Sequence, residues 1–343
     1  MSADWPGPVA TGIGSMPGVD PLAAARLAFG EVALPFVPEL PGRGAGADMV
    51  GRAAGLLIDI PMDTHLGGYR LGSGRTRLMS RADGFLCADF DAVEEVIERS
   101  GSIGTRPARF APGAKAAPVK LASIGPFTFA ACVELPSGHK VLHDRGAWRD
   151  VVGSLGEGLA RRADDLANRT GADVVVELDE PMIGSVIDGQ IPPLTRLDVN
   201  RAIPVSEVAE ALLAISSRVG RPLVLHSCGA PRWDLITRLS GYAVSMDVAG
   251  VGPGDYDALG GFLDGGGRLI AGVVPTMMPA TALSADELAA RLVAVVDRIG
   301  LSRKVFREQV IVSPTCGLAG AGDWAGRALA LATRVADQLR HVD

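Results

Sequence analysis

Residues 147–179 read AWRDVVGSLGEGLARRADDLANRTGADVVVELD, and this stretch decides the class of fold. From Ala147 to Thr170 the segment is amphipathic, with Ala, Leu and Val interspersed among Arg, Asp and Glu, a pattern that lays an apolar stripe along one helix face. From Asp173 to Asp179 it becomes an apolar run that ends in acids, which suits a strand buried on both faces of a parallel sheet. Working outward, comparable runs stand at Pro8–Ser15, Pro35–Leu40, Val119–Gly125, Pro222–Cys228, Ala243–Val248, Arg268–Val274 and Gln309–Cys316. Further helices are predicted at Ser206–Val219, Ser284–Ile299 and Asp323–Leu339, and Ser284 followed three residues later by Glu287 is a capping-box signature. Strands alternating with helices imply an α/β fold, and eight of them predict a (β/α)8 TIM barrel, since closure leaves no unpaired edge.

The rhythm breaks between the second and third strands. Residues 61–118 form an insertion with a helix expected at Asp91–Ser100 and two turn-rich loops, GGYRLGSGRTRL (67–78) and GTRPARFAPGAKAAP (104–118). It reads either as a solvated excursion or as a lid over the barrel mouth. Residues 1–343 are otherwise read as a single catalytic domain.

Composition narrows the partners. A hydrophobic content of 48% with 21% charged residues is that of a globular chain with a large core. A net charge of −6 argues against nucleic acid and anionic membrane surfaces. No uncharged apolar stretch approaches the roughly 20 residues of a spanning helix, and MSADWPGPVATGIGS lacks the basic and apolar regions of a signal peptide. A cytoplasmic location is therefore expected, in which Cys87, Cys132, Cys228 and Cys316 stay reduced.

In a parallel barrel the chemistry sits at the carboxyl ends of the strands. Here those ends carry Ser15 (GIGSMPG), Glu39 (VPELPG), Glu177, Asp179 and Glu180 (ELDEP), His226 and Cys228 (VLHSCG), Asp247 (SMDVAG) and Cys316 (VSPTCG). His226 and Cys228, two apart on one strand, point to the same side. Taken singly, each cysteine reads as core packing. Their shared position at strand ends before glycines, with His226, points instead to a tetrahedral metal site. Two thiolates and an imidazole favour Zn²⁺ over harder cations, with Asp247 or an exogenous thiol as fourth ligand. A thiol of pKa about 8.5 is mostly protonated at neutral pH; coordination would deprotonate it and leave it nucleophilic. Asp179 and Glu39 would receive a cationic group such as an α-ammonium, or else form salt bridges or a helix cap, for which Glu180 is better placed. Ser15 in its Gly-rich turn would offer a hydroxyl and N–H groups to a carboxylate, or simply make a tight turn. His65, His139 and His143 read as surface residues, and Cys87 and Cys132 as packing.

At these residues the chain resembles the catalytic domain of cobalamin-independent methionine synthase, of the barrel superfamily shared with uroporphyrinogen decarboxylase. The motifs run in order: Ile13–Pro17 (IGSMP), Glu39 ahead of Asp48-Met49-Val50, Asp179-Glu180-Pro181, His226-Ser227-Cys228 and Thr315-Cys316-Gly317-Leu318. The resemblance implies that Zn²⁺ is held by His226, Cys228, Cys316 and, in place of the family's glutamate, Asp247. It implies that Ser15 meets the homocysteine carboxylate and Asp179 its amino group. The family's tryptophan after G-P-[VT]-T is absent: Gly125-Pro126-Phe127-Thr128 leads to Ala131 and Cys132. The methyl donor is therefore left open. The expectation is a zinc-dependent S-methyltransferase acting on a homocysteine-like thiol. Its rivals are a metal-free decarboxylase of the uroporphyrinogen type and a non-catalytic zinc- or thiol-binding protein.

Overall fold

The structure is a computed structural model that describes residues 7–102 and 117–342. Its centre is a curled parallel sheet of six strands in the order β3-β4-β5-β6-β7-β8, namely β3 (Val119–Ile124), β4 (Val174–Asp179), β5 (Leu223–His226), β6 (Tyr242–Asp247), β7 (Arg268–Val274) and β8 (Val310–Pro314). Each of the six runs expected at these positions forms a strand. The helices Arg145–Thr170, Val205–Val219, Ala285–Arg298 and Trp324–Arg340 cover its outer face. Ser284 Oγ accepts from the Glu287 N–H at 3.1 Å while the Glu287 carboxylate accepts from the Ser284 N–H at 2.8 Å, so the capping box forms.

The first two expected strands are a correction. Residues 8–15 and 35–40 are extended but form isolated bridges, not regular strands: Ala10 with Val312, Ser15 with Glu39 and Phe36 with Lys120, all parallel. Hydrogen bonds such as Thr11 N to Val312 O (2.9 Å), Glu39 N to Gly14 O (3.0 Å) and Lys120 N to Pro35 O (2.8 Å) still link β8, both segments and β3. The ladder is interrupted because Pro35 and Pro38 carry no N–H to donate, and because Gly14 sits at φ +155°. The sheet described is therefore six-stranded, not a closed ring of eight regular strands.

The 61–118 insertion also differs from its expectation. The loop at 67–78 contributes to a hairpin, β1 (Met62–His65) and β2 (Gly68–Leu71), turned at Leu66-Gly67. The helix runs over Arg77–Ser102, starting well before Asp91, because Thr76 Oγ1 accepts from the Met79 N–H at 3.2 Å and so caps it. The second loop, 104–118, lies outside the described residues except for its last two. Among the described residues no helix is long and apolar enough to cross a membrane.

Two layers inside the sheet's curve prepare the site. A small core of Leu34, Val175, Val224, Ala243, Ile270 and Ile311 fills the lower interior, apart from the main helix-on-sheet core. Two residues further along, on the same faces, stand Glu177, His226, Ser245 and Ser313, all buried. An apolar plug thus lies below a polar layer, and that layer stands on the side of the carboxyl ends of the strands.

Candidate metal and amino-acid site

At that open end lies a cavity of about 320 Å³, lined by Ser15, Glu39, Asp179, His226, Cys228 and Cys316 together with Ile13, Pro41, Met49, Pro181, Gly317 and Ala319. Six of the seven residues assigned a metal- or substrate-binding role from the sequence, all but Asp247, thus line one space. A larger hollow of about 700 Å³ sits at the amino ends of the strands, between Tyr242 and Arg268, away from these groups.

One corner of the cavity is a soft-donor cluster. His226, Cys228 and Cys316 have ligand atoms within 4.8 Å of one another, the one such group of metal-ligating side chains among the described residues. The imidazole is fixed from behind: His226 Nδ1 is 2.9 Å from Ser245 Oγ, one strand over in direct register, so Nε2 faces the sulfurs, 3.2 Å from Cys228 Sγ. The two sulfurs approach to 2.7 Å. The Cys316 thiol is lowered to about 4, first by the hydrogen bond from Cys228 and next by that from His226; Cys228 is raised, chiefly by the same contact with Cys316. Two cysteines and an imidazole whose second nitrogen is already occupied form a donor set suited to Zn²⁺. Asp247 stands apart from this group. Its carboxylate accepts from the Ala249 N–H at 2.8 Å and caps the short turn Val248–Gly250.

The opposite wall is acidic and deeper. Asp179, at the end of β4, is 7% exposed and its Oδ1 has no hydrogen-bond partner. Burial raises its pKa well above the usual carboxylate range, the charges of Glu177 and Glu39 add to this, and Lys120 opposes it. Glu39 is likewise raised by burial, with Arg52 as the main opposing charge, and Arg52 Nε lies 3.1 Å from Glu39 Oε1. Beneath them Lys120 is fully buried and joins three elements, its Nζ donating to Ile13 O at 2.8 Å and to Glu177 Oε1 at 2.6 Å. An unpaired buried carboxylate oxygen at a cavity wall carries a desolvation cost that a cationic ligand group would relieve.

The turn carrying Ser15 is packed against the eighth strand's end. Leu318 N donates to Ser15 O at 2.8 Å, and a Cβ on Gly317 would fall 2.0 Å from Ser15 Oγ, so only glycine leaves that hydroxyl where it is. Glu180 caps the helix that follows β3, not one after its own strand: it accepts from Phe127 N (2.8 Å), Thr128 N (2.7 Å) and Thr128 Oγ1 (2.6 Å) at the start of helix Pro126–Cys132, and burial raises it to about 7. His65 pairs with Glu134 at 3.3 Å and His139 stacks on His143, all outside the cavity.

Sequence reasoning did not assign Lys120, Ser245, Arg52 or Asp89. Lys120 carries a legible signal, the one charge in the run VKLASIG (119–125). Ser245 shares the strand face of Asp247. Nothing local marks Arg52 or Asp89, whose role arises only on folding.

Residues 8–338 match the family model described as cobalamin-independent synthase, catalytic domain. No curated protein matches the chain. Among solved structures, a B12-independent methionine synthase from Shewanella sp. W3-18-1, in complex with selenomethionine, superposes with a TM-score of 0.60 at 12% identity, covering 96% of this chain and 97% of that one. That likeness bears on the fold. A GH138 enzyme targeting pectin rhamnogalacturonan II aligns over 66% of this chain and 33% of its own at 10% identity, with a TM-score of 0.29, too low to carry an argument.

Proposed function

The chain belongs to the cobalamin-independent methionine synthase catalytic-domain family, a family of methyltransferases, and from that premise we propose that it is a zinc-dependent S-methyltransferase acting on homocysteine or a closely similar amino-acid thiol. The observation that carries the reading is the pairing, across one cavity, of the His226–Cys228–Cys316 cluster with the unpartnered carboxylate of Asp179. One end suits a thiol held beside a soft metal; the other suits an ammonium.

His226, Cys228 and Cys316 would hold the ion. Asp247 lies outside that cluster, its carboxylate accepting from the Ala249 N–H, so a substrate thiol would be free to approach the ion. Zn²⁺ bound there would supply the positive charge that keeps a substrate thiol ionised near neutral pH. Asp179 and Glu39 pair with the α-ammonium, and the Ser15 hydroxyl receives the carboxylate. The amino acid is thereby held by its head while its sulfur lies toward the cysteines, an orientation that lowers the entropic part of the barrier. In the transfer a sulfur–carbon bond forms, the donor–methyl bond breaks with its electron pair leaving on the donor, and the thiol proton is lost to solvent.

The curled sheet is read as the greater part of a single (β/α)8 barrel domain, supported by the bridges that run from β8 through residues 8–15 and 35–40 to β3. A cytoplasmic setting fits a site that depends on reduced thiols. The test is methyl transfer by zinc-loaded protein to homocysteine from a panel of donors. Methionine formed only when homocysteine is present is the expected result. Decarboxylation of a porphyrinogen by metal-free protein, or no transfer from any donor alongside zinc binding, would contradict it.

A further inference from the structure

Helix Arg77–Ser102 of the insertion reaches the acidic wall of the cavity through the carboxylate of Asp89. Asp89, on helix Arg77–Ser102, is 1% exposed and lies 2.6 Å from Arg52 Nη1 and 2.8 Å from Arg43 Nη1. Arg52, 3% exposed at the end of helix Met49–Arg52, turns its Nε to Glu39 at 3.1 Å. Glu39 in turn lines the cavity. A continuous line therefore runs from the insertion helix through one guanidinium to a cavity carboxylate.

The line is costly to keep. Arg52 Nη2 is buried without a hydrogen-bond partner, so the guanidinium is desolvated and incompletely satisfied. Where only packing is at stake, an apolar pair of similar volume does as well or better than a buried ion pair. Arg43, by contrast, rests its guanidinium on the Phe85 ring at 4.5 Å and reaches Asp89 from the other side, so Asp89 would keep a partner without Arg52. What Arg52 does that Arg43 does not is touch Glu39.

We propose that Arg52 and Asp89 are positioning residues that aim Glu39 at the α-ammonium of the amino-acid substrate, which makes the insertion helix part of amino-acid recognition and not merely cover for the mouth. The proposal rests on the amino-acid reading of the cavity. Burial of Glu39, opposed mainly by the charge of Arg52, is consistent with it.

The test is calorimetric binding to the full chain of two probes that differ only in the ammonium, L-methionine and 4-(methylthio)butanoate, neither of which needs a metal. Wild type should prefer L-methionine. In Asp89→Asn, and in the double variant Arg52→Met with Asp89→Leu, affinity for L-methionine should fall about tenfold, the loss of one charge-assisted contact, while 4-(methylthio)butanoate binds as before. Arg52→Lys should recover part of the loss. Folded variants that keep wild-type affinity for L-methionine, or that weaken both probes equally, overturn the proposal. So does failure of both variants to fold, which would make the pair a folding element. Wild type that binds neither probe overturns the amino-acid reading and this inference together, whereas retained affinity in the variants removes the inference alone.

Discussion

The His226–Cys228–Cys316 corner and the acidic wall of Glu39 and Asp179 face each other across one cavity, and they are held in place differently. The corner sits at the rim: Cys228 is exposed, its neighbours come from two strand ends, and one hydroxyl, that of Ser245, orients the imidazole. The wall sits lower, where burial raises both Glu39 and Asp179 and only Lys120 and Arg52, from other elements, oppose it. A set of soft donors needs little scaffolding because an ion would gather it. Buried carboxylates are driven toward the neutral form, and the counter-charges that the fold places beside them limit that shift.

That difference can be broken one side at a time. Cys316→Ser removes a thiolate from the corner and is expected to lower methyl transfer on the order of a thousandfold, with zinc by elemental analysis far below one per chain, while L-methionine still binds. Asp179→Asn should do the converse: zinc stays stoichiometric and affinity for L-methionine falls about a hundredfold in calorimetry. Asp179 also sets a pH dependence. Its folded-state pKa is raised, so the native protein holds that proton more tightly than the unfolded chain does, and stability falls as pH rises from the ordinary carboxylate range through the raised value. Binding of an ammonium favours the ionised form, so L-methionine should bind more tightly as pH rises and release protons; Asp179→Asn should flatten both slopes.

Smaller effects sharpen the comparison. Ser245→Ala frees the His226 ring and should weaken zinc roughly 10- to 100-fold in chelator competition, with no change in L-methionine binding. Gly317→Ala would drive Ser15 Oγ from its place, and should weaken L-methionine about tenfold while zinc content and melting temperature hold.

The same contrast governs what could be read from the chain. The corner was legible because strand alternation puts His226 and Cys228 on one side and each cysteine precedes a glycine at a strand end. Glu39 and Asp179 were legible as acids at strand ends, but the counter-charges beside them were not. Arg52 and Asp89 lie 37 residues apart, and only the docking of helix Arg77–Ser102 joins them. In the fold, the six apolar runs from Val119 onward became strands, whereas the two earlier ones carry prolines and glycines that interrupt the ladder. The hairpin at Met62–Leu71 was hidden by its short, partly exposed strands.

Zinc-edge X-ray absorption on the purified protein, with and without homocysteine, tests the central claim most directly. Convergence of His226, Cys228 and Cys316 on one ion predicts two sulfur scatterers and one imidazole without the amino acid, and a third sulfur when homocysteine is added. Zinc surrounded by oxygen and nitrogen alone, or a sulfur count that homocysteine leaves unchanged, would contradict it.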